Sequence, residues 1–294
     1  MSFRVLELFC GIGGFGTATA GRAEISAALD QSLAALSVYR LNHPTVQAVC
    51  LNLESASPAD LQLFSADMWW MSPPCQPYTV RGKQRDIQDP RGSSFLKILA
   101  LLPDFCPSHL AMENVPGFQF SQARQRLLEI LTFHGYRVHE RLLCPTELGI
   151  PNRRPRYYLV ATRDKLLDPP SPRFHSCRLS DFLDAHPSAE LGLDASAAAS
   201  FSRGFRKIDP GDPQAYATCF TSGYGKSLMH SGSYLHWQGG LRRFSPEEIL
   251  RLLGFPRGYR WPDDMPLRKR WHLAGNSLSL CALREVLRVI PPFE

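Results

Sequence analysis

Residues 4–16 read RVLELFCGIGGFG, an apolar run that ends in four glycines within six positions. Val5, Leu6, Leu8 and Phe9 suit a β-strand. A glycine-rich turn directly after a first strand is where an α/β sheet lets its backbone approach a nucleotide. Gly11, Gly13 and Gly16 fit G-x-G-x-x-G, and Asp30 closes the next apolar run about 20 residues on, as the dinucleotide fingerprint asks. The physics behind that fingerprint is broader than one cofactor. Such a turn admits any adenosyl group, an acid ending the second strand can bind any ribose hydroxyls, and a tight turn with no ligand is the plain alternative.

Outward from this turn, short β-rich runs alternate with helical ones, which predicts an α/β sheet. RVLELF (4–9), ISAALD (25–30), DMWWMS (67–72), HLAMENV (109–115) and RYYLVAT (156–162) read as strands. SLAALSVYRLN, SPADLQLF, SSFLKILALL and ARQRLLEILTFHG between them carry apolar residues at helical spacing. Ser57 is a predicted N-cap with Pro58 at the first helical position, and Ser245 and Gly254 bracket a later helix in FSPEEILRLLGFP. Beyond about residue 163 the chain turns richer in Pro, Gly and Ser. We therefore expect a catalytic, cofactor-binding domain over 1–165 and 267–294, and a smaller domain over 166–266.

Hydrophobic content of 44% and charged content of 20% are those of a globular chain, so disorder is not expected. The net charge of +6, most of it arginine, favours a polyanionic partner, since guanidinium forks onto phosphate and stacks on bases. The eight cysteines form no CxxC pair and no zinc spacing, so no metal is expected. No apolar run approaches the ~20 residues of a membrane span. With no signal-peptide pattern, the expected setting is a reducing cytoplasm, with free thiols and a monomeric chain.

SPPCQP (72–77) follows the strand MWWM, at the sheet edge where α/β proteins bind ligands. Pro73 and Pro74 fix their φ angles and present Cys75 in one geometry. From this motif alone Cys75 is either a buried packing thiol or a nucleophile on a rigid seat. Glu113 in MENVPG ends another apolar strand, where a carboxylate must be solvated, paired or working. Arg154 and Arg156 stand two apart at the head of RYYLVA, a spacing that would turn both to one face of a strand. A structural ion pair between Glu113 and one arginine is the plain alternative. Together, thiol, carboxyl and cations suit a specific problem. Cytosine C5 is a poor nucleophile until a thiolate adds to C6, and a group at N3 eases that addition by holding the developing charge.

In order along the chain, FCGIGG, SPPCQP, RGSSFLKIL, MENV, RRPR, FSPEEILRLLGFP and AGNSL make the sequence resemble the cytosine-C5 methyltransferase superfamily, over nearly its whole length except about 163–214. The resemblance implies a Rossmann-like methyltransferase sheet with helices on both faces, a small target-recognition domain, and S-adenosyl-L-methionine as cofactor in place of NAD. It makes Cys75 the nucleophile and Glu113 the group at N3, with Arg154 and Arg156 holding the base and the active-site loop. Phe9, Gly11, Gly13, Gly14, Asp30, Pro73, Ser94, Asn276 and Ser277 would line the cofactor. Asn52 in CLNLES stands where relatives often carry an acid beside the adenine, and its amide oxygen can still accept from the adenine amino group.

The superfamily mostly modifies DNA, and its DNA members commonly show Phe-Ser after PPCQP. Here Tyr78 and Thr79 follow, and CFTSGYGKS (219–227) carries a Cys-Phe-Thr element, so the chain is more similar to the tRNA-aspartate cytosine-C5 methyltransferase branch. That resemblance implies methylation of cytosine 38 in the anticodon loop of an Asp- or Glu-type tRNA, with Cys219, Phe220 and Thr221 near the target. Arg81, Lys83 and Arg85 are candidate phosphate contacts. A base already in a loop is also easier to extrude than one in a duplex. DNA methylation within a modification system is the alternative.

Overall fold

The computed structural model describes residues 3–79, 85–169, 171–194 and 206–294. Eight strands precede residue 163: β1 (Arg4–Leu8), β2 (Glu24–Asp30), β3 (Ala48–Cys50), β4 (Met68–Met71), β5 (His109–Asn114), β6 (Arg137–Leu143), β7 (Asn152–Arg153) and β8 (Arg156–Thr162). All but β7 form one sheet in the order β3-β2-β1-β4-β5-β8-β6. β3, β2, β1, β4 and β5 run parallel, whereas β8 is antiparallel to both β5 and β6. Its amino end therefore lies at the edge where the parallel strands have their carboxyl ends.

Helices cover both faces, and the strand alternation shows which residues go where. Leu6, Leu8, Ala27, Leu29, Trp69, Met71, Leu110, Met112, Leu159 and Ala161 share one core with α3 (Pro58–Gln62), α4 (Ser93–Phe105) and α5 (Gln122–Phe133). Intervening residues point the other way, as the pleat requires. There Ala28 packs with Leu36 and Tyr39 of α2 (Leu33–Asn42), and Trp70 stacks at 4.9 Å on Phe15 of the short α1 (Gly14–Ala18). Because the parallel strands are buried on both sides, MWWM reads as a continuous apolar run with no alternation. The predicted Ser57 cap is present as a capping box with Asp60, and Pro58 opens the helix.

The chain divides into two compact units, one of residues 1–143, 155–172 and 282–294, the other of residues 144–154 and 173–281. Relative to the expected 166–266, the second unit also holds 144–154 and the helix α7 (Leu267–Asn276). In it β7 pairs with β10 (Ala217–Thr218), and β9 (Arg206–Ile208), β11 (Ser233–Trp237) and β12 (Gly240–Arg243) form a small sheet. Its core is aromatic, with Phe220, Tyr224, Tyr234, Phe244 and Trp271 in mutual ring contact. Ser245 caps α6 (Pro246–Leu252) through a capping box with Glu248, and Gly254 beyond its end takes φ +90°. The last helix, α8 (Leu280–Leu287), runs from the second unit back into the first. Among the described residues no helix is long and apolar enough to cross a membrane, and no group of three or more His, Cys, Asp and Glu could hold a metal.

Glu7 departs from the apolar pattern of β1. Its carboxyl is buried, accepts the Tyr39 hydroxyl at 2.8 Å, and accepts backbone N–H groups of Phe15 and Gly16 at the start of α1. Burial pushes its pKa up to about 8, so the folded protein holds a proton that the unfolded chain releases near 4.5. Between these values the folded state binds more protons, so stability falls as pH rises through that window and the loss is complete above about 8. Glu7→Gln keeps the shape without the titration. Melting followed from about pH 5 to about pH 9 is expected to decline by several kcal/mol for the wild type and to stay much flatter for the variant.

Candidate active site

In the first unit the strand order brings four motifs to one edge. Asp30 ends β2, Phe9 and the glycine turn follow β1, Ser72 to Cys75 follow β4, and Glu113 and Asn114 end β5. Hydrogen bonds tie these ends together. Ser72 donates its hydroxyl to Phe9 O at 2.8 Å, and the Asn114 amide donates to Pro73 O at 3.3 Å. Asp30 accepts Gly11 N at 2.9 Å on one oxygen and Ser32 N at 2.8 Å on the other, and burial raises its pKa. The carboxylate thus shapes the glycine turn, with lone pairs remaining for another donor.

Cys75 is half-buried and opens a 3₁₀ turn over Gln76–Tyr78, with Tyr78 N donating to Cys75 O at 3.0 Å. Tyr78 is buried edge-on against Phe118 at 4.9 Å, so the Tyr of PYT is a packing residue. Thr79 donates its hydroxyl to Gln76 O, closing the same turn. The segment after Glu113 supports this seat from below: a Cβ on Gly117 would lie 2.2 Å from Tyr78 O. Gly117→Ala must therefore move either the Cys75 turn or the Glu113 strand end. We expect a loss of roughly 1–3 kcal/mol in melting together with a fall in methyl transfer, the two measured side by side.

Glu113 is held by Arg156, whose Nε lies 2.9 Å from Oε1, with both side chains 12% exposed. The antiparallel register explains the meeting: Glu113 lies opposite Tyr158, two residues along β8 from Arg156. Arg154 does not join them. The strand begins at Arg156, Pro155 intervenes, and Arg154 belongs to the second unit, so the expectation of two arginines on one strand face is corrected. There its buried guanidinium donates to the carbonyls of Phe220 (3.0 Å), Gly275 (3.2 Å) and Ser277, and to the Cys219 thiol at 3.2 Å. Cys219 and Phe220 of the Cys-Phe-Thr element and the GNS stretch are thereby fastened to one cation.

Other expected residues fall as follows. Ser94 is the second residue of α4, and Gly13 and Gly14 open α1. Asn52 turns its amide oxygen to Glu54 N at 3.1 Å, leaving one lone pair for the expected adenine contact. Asn276 bonds its amide to the His272 ring at 3.2 Å. Phe220 is buried and Thr221 is exposed. Arg85 is exposed, whereas Arg81 and Lys83 lie outside the described residues.

Sequence reasoning left Asn114, Asp86 and Arg91 without a role. Asp86 accepts the backbone N–H groups of Gln122 and Ala123 and so anchors α5 to the loop beyond Cys75. Arg91 forks onto Asp89 at 2.9 and 2.6 Å, which holds that carboxyl well below the usual range, down at about 2, and Arg91 also interacts electrostatically with Cys75. An arginine in DPRG, directly before the apolar helix that follows the proposed nucleophile's loop, was the available signal.

The cradle fits an adenosyl ligand. Gly11 takes φ +55°, and nothing stands within 4 Å of where its Cβ would be, so the turn faces open space beside Asp30. The profile of C-5 cytosine-specific DNA methylases matches residues 3–189. The chain is 29% identical to the Homo sapiens tRNA (cytosine(38)-C(5))-methyltransferase, over 98% of both chains. A Dictyostelium discoideum DNA (cytosine-5)-methyltransferase is 28% identical, over 98% of this chain and 94% of the relative. The crystal structure of S. pombe Dnmt2 methyltransferase superposes with a TM-score of 0.86 at 29% identity, over 97% of each chain.

Proposed function

The chain belongs to the C-5 cytosine-specific DNA methylase family and is an enzyme of that class, and we propose that its substrate is tRNA, methylated at C5 of cytosine 38 in the anticodon loop of an Asp- or Glu-type molecule. The observation that carries the chemistry is the meeting, at one sheet edge, of Cys75 on its fixed turn with a Glu113 carboxylate clamped by Arg156. The tRNA reading is supported by the Cys-Phe-Thr element and by the name of the human relative.

In the proposed cycle the Cys75 sulfur bonds to C6 as thiolate, and the π pair of the C5=C6 double bond shifts toward C5 and, through C4, toward N3. Glu113, oriented by Arg156, acts as the acid at N3: it gives a proton to N3 as negative charge develops there, so that the adduct forms without a buried anion on the ring. Phe9, Gly11, Gly13, Gly14, Asp30, Asn52, Pro73 and Ser94 are the residues of the first unit that would hold S-adenosylmethionine. When bound, that cofactor supplies an electrophilic methyl group. After C5 is methylated, a base or water takes the C5 proton, N3 gives its proton back to Glu113, and β-elimination breaks the S–C6 bond and returns Cys75 as thiolate. The attacking sulfur becomes negative before it adds, and Arg91 is a cation of the right sign nearby.

Labelled methyl transfer to total tRNA and to DNA of mixed sequence, run side by side, tests the substrate. The expected result is label on tRNA at one anticodon-loop cytosine. Label on DNA with none on tRNA would overturn the reading in favour of the DNA alternative, which the Dictyostelium discoideum relative's name keeps in view.

A further inference from the structure

The second unit carries a hollow of about 360 Å³ whose walls include Ser222, Lys226, Arg268, Lys269 and His272. Three of these are permanent cations, no carboxylate lines the space, and none of the ion pairs among the described residues involves Lys226, Arg268 or Lys269. The neighbouring acid Glu247 faces Arg270 instead, at 3.9 Å. Grouping like charges around a concavity is unfavourable until an anion enters, and a concave wall of one sign focuses the field on that anion.

The hollow is built on fixed parts. Arg268 and Lys269 lie in the first turn of α7, whose N-cap is Pro266 and offers no side-chain acceptor, so the backbone dipoles add to the positive field. Lys226 is placed by the loop SGYGKS, which lies flat on Trp271: a Cβ on Gly225 would meet that ring at 2.6 Å. The Trp271 indole N–H is itself fixed to Phe244 O at 2.8 Å. The His272 ring lies with Nδ1 3.1 Å from Ser222 O and Nε2 3.2 Å from the Asn276 amide, so it is a strut that fastens loop to helix.

We propose that this hollow is a phosphate subsite, which grips a backbone phosphate of the tRNA through the Arg268 fork and the two lysine charges. The subsite begins directly after Thr221 in the chain. It rests on the tRNA reading of the preceding subsection.

Lys226→Ala, Arg268→Ala and the double variant Lys226→Ala/Lys269→Ala are to be compared with wild type for tRNA affinity across a salt series, S-adenosylmethionine binding, and KM and kcat for tRNA. Lys226 and Arg268 are exposed, so melting should not change. Each lost contact is expected to reduce the slope of log K against log salt by about 1 and to raise KM several-fold, while kcat and cofactor binding hold. Arg268→Lys should recover part of the affinity. If wild type methylates tRNA and the double variant keeps its affinity and salt slope, the subsite is wrong although the function stands. If wild type methylates DNA alone, the function falls and the tRNA subsite falls with it.

Discussion

Cys75→Ser leaves a protein that binds S-adenosylmethionine with near wild-type affinity and transfers methyl groups more than about 10³-fold more slowly, the scale on which loss of a nucleophile registers. The hydroxyl has the size of the thiol but ionises far less readily, so addition to C6 stalls before C5 is activated. The seat should survive, because Cys75 is held through its backbone: its carbonyl accepts Tyr78 N, and its neighbours Pro73 and Pro74 set the approach. A substrate RNA with 5-fluorocytosine at the target gives an independent readout. Fluorine replaces the hydrogen whose removal must precede β-elimination, so wild type is expected to remain covalently attached to the methylated RNA and Cys75→Ser is not. A serine variant that methylates at the wild-type rate would remove Cys75 from the chemistry. A variant that loses cofactor binding in parallel would make it a packing residue.

What the sequence made legible depended on whether local pattern and tertiary partner coincided. Four of the five parallel strands, β1, β2, β4 and β5, were legible because burial on both faces writes itself as runs such as MWWM. The glycine turn and Asp30 were legible because one αL-compatible loop and one acid at a strand end serve the same cradle. β6 was missed because RVHERLL is charged, and much of it is solvated near the sheet edge. β3 was missed because three residues carry too little periodicity. Glu113 could be read as paired, since a carboxylate at an apolar strand end needs a partner. Its choice of Arg156 over Arg154 follows from the β5–β8 register and from Pro155, which no spacing rule contains. Arg154 groups with Arg156 in sequence because the two stand together in RRPR, whereas its guanidinium reaches the Cys219 thiol and carbonyls 65 to 123 residues away, which no local pattern announces.

Arg154 accordingly gives the largest expected effect on stability. The residue is 3% exposed and its guanidinium serves the carbonyls of Phe220, Gly275 and Ser277 at once, so Arg154→Ala takes this donor from three acceptors together. Hydrogen bonds to a charged group contribute about 1.5–3 kcal/mol each, and a buried acceptor left without its donor costs about 1–3 kcal/mol. With three carbonyls affected, we expect Arg154→Ala to lower stability by roughly 3 kcal/mol or more in thermal or urea unfolding. Arg154→Lys should recover only part, because one ammonium group cannot span acceptors set for a planar fork. Arg156→Ala offers the contrast. It removes the cation that orients Glu113, so it should depress methyl transfer far more than it depresses melting. The two arginines of RRPR thereby separate by readout, one through unfolding and the other through turnover. An Arg154→Ala protein that melts with wild type while losing turnover would reverse the assignment and return Arg154 to the substrate side.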